Sequence, residues 1–248
     1  MSYGVFSEFY DALTANVSYD TVSQVLSSLL TRYGKSRGLL LDLACGTGSV
    51  SVRLAEKGYE VIGADLSPEM LSEAQNKAYS AGQNILFLCQ DMTALDLYGT
   101  VDAAVCTLDG LCHLPDEESV FAALRKVSLF MNPGGVFLFD VNSVYKHRAV
   151  LGNNTFVYDT DDVYCVWQNT LLSDGVTVQM DLDFFEPVSD AGDYVRQSER
   201  FTERAYPRET LEAMLKKAGY TVLDVFDGYS GKPAHDTSER LLFAVRKD

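Results

Sequence analysis

Between residues 38 and 142, five apolar runs of strand length alternate with segments of helical periodicity. The runs occupy residues 38–43 (GLLLDL), 59–66 (YEVIGADL), 84–89 (NILFLC), 101–107 (VDAAVCT) and 136–141 (VFLFDV). Strands that are apolar along their whole length are covered on both faces, and strands separated by helices pair in parallel. A parallel α/β sheet is therefore expected. The helices carry their own punctuation. One over 49–57 stops at Gly58, and Ser67 stands as an N-cap ahead of Pro68. Another over 116–131 is expected to be stopped by Asn132, Pro133, Gly134 and Gly135. Upstream, Phe6, Phe9, Tyr10 and Leu13 fall on one helical stripe, and Val22, Val25, Leu26 and Leu29 repeat it before Gly34.

The rhythm changes after about Tyr145. Val178, Met180, Leu182 and Phe184 alternate with Thr177, Gln179, Asp181 and Asp183, the period of an antiparallel strand with one polar face. Turns are expected at Ser173–Gly175 and at Ser189–Asp193. Residues from about 150 to 205 thus form a β insertion, rich in aromatics that include Phe156, Trp167, Phe184 and Phe201. A helix from Pro207, ended by Gly219, and two strands close the chain. The loop between those strands is too short for a crossover helix, so they should pair antiparallel at the sheet edge. Four segments follow: a helical cap (1–36), an α/β core (37–148), the insertion (149–205), and a helix with edge strands that completes the core (206–248).

A chain of 248 residues, 47% hydrophobic, suits one globular domain with an insertion. Its net charge of −15, with no cluster of Lys or Arg, argues against nucleic acid and favours a cationic small molecule, or simply solubility. Five scattered cysteines without a Cys-x-x-Cys pair read as reduced thiols. The first residues carry no basic n-region, and no apolar run reaches the roughly 18 residues of a membrane span. A cytoplasmic protein without a membrane partner is expected.

Ligands of open α/β sheets sit at the carboxyl ends of the strands, so the loop after the first strand is the prime site. It lies within LLLDLACGTGSV, Leu39–Val50. A phosphate-binding loop would place Lys after its last glycine, but Ser49 follows Gly48. A dinucleotide fingerprint would want a third glycine where Ser51 stands. S-adenosylmethionine carries no phosphate. Asp42 and carbonyls near Ala44 suit its ammonium, while Gly46 and Gly48 permit close backbone approach. Asp65 ends the second strand 65 − 46 = 19 residues beyond Gly46, near the spacing of about 20 at which an acid meets a ribose.

Four stretches, LDLACGTG (41–48), VIGADLSPEML (61–71), NILFLCQDM (84–92) and LKKAGY (215–220), resemble successive motifs of the class I S-adenosylmethionine-dependent methyltransferases. The resemblance implies an α/β fold with a seven-stranded, mostly parallel Rossmann-like sheet, here with an antiparallel β insertion after the fifth strand. It implies that Asp65 holds the ribose hydroxyls, that Leu66 and Met70 line the adenine, and that Asp91 and the Met92 backbone read the ring. Thr107 and Leu108 would pass beneath the methionine part, and Cys45 and Thr47 join the loop contacts. YGVFSEFYDAL (3–13) is similar to the N-terminal helix of bacterial small-molecule members, in which a tyrosine like Tyr10 closes over the cofactor. TLDG at Thr107–Gly110 departs from the Asn/Asp-Pro-Pro-Tyr motif of nucleic-acid and glutamine amino-methyltransferases.

His113 follows the fourth strand, where substrate would lie, and is either a general base or a structural histidine. Tyr10 is either a catalytic-site residue or core packing, and Asp91 could be a turn residue only. His147 and His235 lack ligand partners nearby in sequence, so no metal is expected. Cys106 and Cys112 read as core residues. The leading expectation is a methyltransferase for a small-molecule acceptor, monomeric or homodimeric, with the insertion as substrate lid or interface. A non-catalytic S-adenosylmethionine-binding regulatory module stays open. An RNA methyltransferase is disfavoured by charge and by the TLDG loop.

Overall fold

The computed structural model describes residues 4–188 and 192–248. Two amphipathic helices, α1 (Gly4–Leu13) and α2 (Tyr19–Arg32), precede the alternating unit. That unit runs β1 (Gly38–Leu43), α3 (Ser49–Glu56), β2 (Tyr59–Asp65), α4 (Pro68–Ser80), β3 (Leu86–Cys89), β4 (Val101–Cys106), α5 (Glu117–Leu129) and β5 (Met131–Asn142). After a short turn α6 (Val144–Lys146) come the insertion strands β6 (Thr155–Asp159), β7 (Tyr164–Leu171), β8 (Thr177–Pro187) and β9 (Tyr194–Arg204). Helix α7 (Arg208–Lys217) and strands β10 (Tyr220–Asp227) and β11 (Arg240–Lys247) complete the chain.

The main sheet has the order β10-β11-β5-β4-β1-β2-β3. Strands β1 to β5 pair in parallel, while β11 is antiparallel to both β5 and β10. The expected antiparallel closing pair is therefore present. Strand order reverses between β1 and β4, and that switch point places the carboxyl ends of β1, β2 and β4 along one rim. The central strands serve two cores. Leu41 and Leu43 of β1, with Phe137 and Phe139 of β5, face α5 and α7, while Leu40 and Leu138 face α2 and α3. Phe139 stacks on Phe243 of β11 with ring centroids 4.9 Å apart.

One expectation fails locally. Asn132–Gly135 does not separate a helix from a strand: α5 ends at Leu129, and β5 already includes these residues. The Asn132 amide donates to Asp102 of β4 at 3.0 Å, which stitches the segment to the sheet. The extra residues are absorbed as a register shift, with Val101 opposite Met131 but Ala103 opposite Val136.

The second sheet, β6-β7-β8-β9, is wholly antiparallel. Period two holds: Val178, Met180, Leu182 and Phe184 are buried. They pack against Phe6, Phe9 and Leu13 of α1 and Met70 of α4, so α1 lies between the two sheets' cores. The β7–β8 turn forms as expected, its Asp174 carboxylate accepting the Val176 and Thr177 amides at 3.0 and 2.9 Å. Of the turn expected at Ser189–Asp193, residues 189–191 lie outside the described residues. No described helix is long and apolar enough to cross a membrane.

Phe184 is fully buried, with ring centroids 6.4 Å from Phe6 and 5.8 Å from Phe9. Phe184→Ala should destabilise the protein by about 3–5 kcal/mol. Urea unfolding measures this, and hydrogen exchange should report the loss first in α1 and β7–β9.

Candidate functional site

The loop after β1 is built from left-handed backbone. Ala44, Gly46 and Gly48 have φ of 54°, 52° and 73°. At Gly48 an added Cβ would stand 2.8 Å from Ala74 Cβ and 3.1 Å from Ala74 Cα, so glycine is required by α4 as much as by φ. At Gly46 an added Cβ would meet nothing within 4 Å. Asp65 holds the loop to the end of β2. One carboxylate oxygen accepts the Gly46 amide at 2.8 Å and the other the Ser67 amide at 2.9 Å.

A cavity of about 280 Å³ opens above this loop. Ala44, Cys45, Gly46 and Thr47 line its floor, and Asp65, Leu66 and Met70 line one side. Asp91, Met92, Thr107 and Leu108 continue the wall to His113, and Tyr10 covers it from α1. Asp91 also accepts the Thr93 amide and hydroxyl, at 2.7 and 2.8 Å, so it caps a turn and faces the cavity at once. Gly48 and Asp42 do not line the cavity. Phe6, Tyr19, Gln90 and Gly110 do, and the sequence pointed to none of them. Phe6 had a signal: it precedes Tyr10 by four residues and so shares its helix face.

Asp42 sits beneath the loop, fully buried. The Ser51 hydroxyl donates to one of its oxygens, and the other, Oδ1, has no partner. Burial, reinforced by the nearby Asp65 charge and opposed by Ser51, pushes its carboxyl up to about 7. Buried polar atoms are ordinarily satisfied. An orphaned carboxylate oxygen under a glycine-rich loop fits a ligand that brings an ammonium, and the open space at Gly46 fits close approach of its body.

The far wall is the loop after β4. Leu108 and Asp109 are consecutive non-glycine residues in left-handed conformation, at φ 53° and 60°. Both amides donate to the buried Asp140 carboxylate of β5, at 3.2 and 2.6 Å. Arg240 of β11 bridges Asp109 and Asp140 at 2.6 and 2.7 Å, and the Tyr229 hydroxyl also donates to Asp140. Burial works against ionisation of Asp109, but Arg240, Lys146 and His113 more than offset it and hold its carboxyl low.

This brace leads into a 3-10 turn that presents His113 to the cavity. The His113 ring lies 5.9 Å from that of Phe201, and its Nε2 is 3.9 Å from Glu203 Oε1, both residues belonging to β9. Asp109, His113 and Glu203 offer donor atoms within 4.8 Å of one another, with Arg240 supplying positive charge beside them. Burial lowers the His113 imidazole below its usual value, against the opposing charges of Asp109 and Asp65, which favours the neutral ring. Burial and the Asp109 charge push the Glu203 carboxyl up. His147 is a structural histidine, its Nδ1 bonded to the Val176 carbonyl at 2.8 Å. Cys106 and Cys112 are fully buried with their thiols pushed up by burial, which makes them core residues.

Residues 40–135 match the methyltransferase-domain family. YqeM of Bacillus subtilis strain 168, itself named as a candidate methyltransferase, is 38% identical over 248 residues, covering 100% of this chain and 98% of its own. The crystal structure of an S-adenosylmethionine-dependent methyltransferase from Clostridium acetobutylicum superimposes with a TM-score of 0.88 at 36% identity, over 99% of this chain and 98% of that one. S-adenosylmethionine-bound CalS10, an amino pentose methyltransferase from Micromonospora echinaspora, shares the fold, with a TM-score of 0.78 at 21% identity over 96% of both chains.

Asp42 gives the site a signature that needs no ligand. Its folded carboxyl prefers the proton, so the stability it allows at acid pH is lost as pH rises from the ordinary 3.8 through about 7. Asp42→Asn removes that penalty. At about 1.4 kcal/mol per pH unit, the ligand-free variant should gain up to about 4 kcal/mol over wild type at pH 8 and little at pH 4. Thermal unfolding at the two pH values checks this.

Proposed function

The chain belongs to the class I S-adenosylmethionine-dependent methyltransferases, and from that premise we propose that it methylates a small-molecule acceptor bound between His113 and the β insertion. The cofactor supplies an activated methyl on a sulfonium, so transfer is a displacement and the protein's part is alignment, exclusion of water and handling of a proton. One observation carries the acceptor class. The cavity wall beyond the glycine loop is made by side chains at close quarters, under Phe6 and Tyr10 of α1 and beside His113, and no lysine or arginine is among its described lining residues. A polynucleotide needs an accessible cationic track, and a net charge of −15 works against one. A small neutral or cationic molecule needs only shape and a few placed polar groups. The amino pentose named for CalS10 is an acceptor of that size on the same fold.

In this reading Asp65 accepts the two ribose hydroxyls with its remaining lone pairs, and Leu66, Met70 and Met92 enclose the adenine, whose amino group Asp91 reads. The Thr47 and Ala44 backbone meets the amino-acid end, and Asp42, buried beneath the loop, supports it from below. Thr107 and Leu108 support the methionine chain, and Tyr10 shuts over it. His113 stands where an acceptor proton would be removed. Phe201 brings the insertion to the acceptor side, as a lid rather than an outlying interface. Five unpaired cysteines fit a reducing compartment, which supports the cytoplasm.

S-adenosylhomocysteine should raise the melting temperature, and NAD and ATP should not. Asp65→Ala removes a charged acceptor of two hydrogen bonds, each worth about 1.5–3 kcal/mol, so affinity by calorimetry should fall at least a hundredfold. An unchanged affinity would show that Asp65 only ties the loop. For the acceptor, cell extract is incubated with enzyme and methyl-labelled cofactor and then fractionated by size. Label is expected among small metabolites; label confined to RNA or protein would sink the proposal.

A further inference from the structure

A buried acid stands behind His113 that packing does not require. Glu203 lies two residues after Phe201 on β9, so strand alternation gives both the same face. Phe201 belongs to the apolar cluster under α1, whereas Glu203 turns a carboxyl with 6% exposure toward the catalytic wall. Its Oε2 accepts the Asn142 amide at 3.1 Å, and its Oε1 is the atom 3.9 Å from His113 Nε2. The charged groups around the pair come from several elements. Asp109 precedes the turn that carries His113, Arg240 reaches in from β11, and Lys146 of α6 is bonded to Asn142 at 2.8 Å. Asp65 acts on His113 from across the cavity. Asp109 is neutralised directly by Arg240, while Glu203 meets an amide and an imidazole.

Resting on the small-molecule methyltransferase reading, we propose that Glu203 and His113 hold one proton between them at neutral pH, and that the pair becomes the base for the acceptor once that proton has left. Two arrangements have the same proton count: a carboxylic acid beside a neutral imidazole, and a carboxylate beside an imidazolium. Burial disfavours charge on either group, which favours the first arrangement in the empty site. When the shared proton is gone, the carboxylate stands behind a neutral imidazole and strengthens it as a base. The acceptor X–H bond then breaks toward an imidazole nitrogen, which takes the proton on its lone pair. The X–H electrons stay on X and form the bond to the methyl carbon, and the carbon–sulfur pair leaves with sulfur. Glu203 touches neither acceptor nor cofactor and is a positioning residue. The insertion thereby sets the proton affinity of the site as well as its shape.

The pair can be tested without knowing the acceptor. The chain has three histidines, so the His113 imidazole signals can be assigned in the full-length protein by comparison with His113→Asn. In wild type the His113 shifts should follow a two-step titration whose upper step lies on the alkaline side of neutrality. In Glu203→Gln, which can still accept from Asn142, the upper step should vanish. The remaining single step should stay close to the wild-type lower step, because Glu203 is already a neutral carboxylic acid where that step occurs. Glu203→Asp keeps the carboxyl but withdraws it by one methylene, so the upper step should persist with reduced amplitude; this variant serves if Glu203→Gln does not fold. A His113 titration unchanged in either variant overturns the pair. That result would leave the acceptor reading standing, since labelled extract tests it separately.

Discussion

The Asp140 carboxylate carries more of this structure than any glycine does. It is completely buried, and it accepts two consecutive backbone amides, a tyrosine hydroxyl and a guanidinium. Two non-glycine residues in left-handed conformation, Leu108 and Asp109, are held by it. Each such residue costs roughly 1–2 kcal/mol, and each hydrogen bond to a charged group returns about 1.5–3 kcal/mol. The loop that presents His113 is therefore stable only while Asp140 and its counter-ion Arg240 are both present. Loss of Arg240 would leave two buried carboxylates without their counter-ion, a change that typically costs about 3–5 kcal/mol.

This arrangement marks the line between what could be read along the chain and what could not. The parallel sheet, its antiparallel closing pair and the glycine loop were legible because each is encoded in neighbouring residues: apolar runs, Gly58 and Ser67 as punctuation, Asp65 at a fixed spacing. The alternation at Val178–Phe184 told the insertion's inner face correctly. Asp140 and Arg240 are 100 residues apart, and Glu203 is 90 residues beyond His113; nothing local links them. Asn132–Gly135 misled because a Pro-Gly-Gly stretch normally breaks regular structure, and here the Asn132–Asp102 bond draws it into a strand. Asp65 and Asp91 both hold backbone amides and both line the cavity, so the turn role that the sequence allowed for Asp91 is present beside its place in the wall.

The two sheets meet through α1, which neither of them owns. Its Phe6 and Phe9 pack on the insertion, while its Asp11 accepts from the Thr47 hydroxyl at 2.9 Å and pairs with Lys77. Lys77 in turn donates to Thr47 and Ser49 at 2.7 and 2.8 Å. The loop that lies under the cavity and the helix that lies over it are thus joined by one small polar cluster. Ten residues of helix would be marginal alone in water, so the roof exists only because both layers beneath it are in place.

The contact between Gly48 and Ala74 has a consequence for how such a chain can change over generations. With 2.8 Å between Ala74 and a Cβ built at position 48, neither residue can grow without the other side giving way, and glycine has nothing left to surrender. The two positions, one in the loop and one in α4, behave as a single inherited character: their substitutions are coupled and will not add. Drift can reshape positions without such a contact far more freely than it can reshape the loop. A lineage that keeps this floor can change what it methylates while keeping the donor it uses.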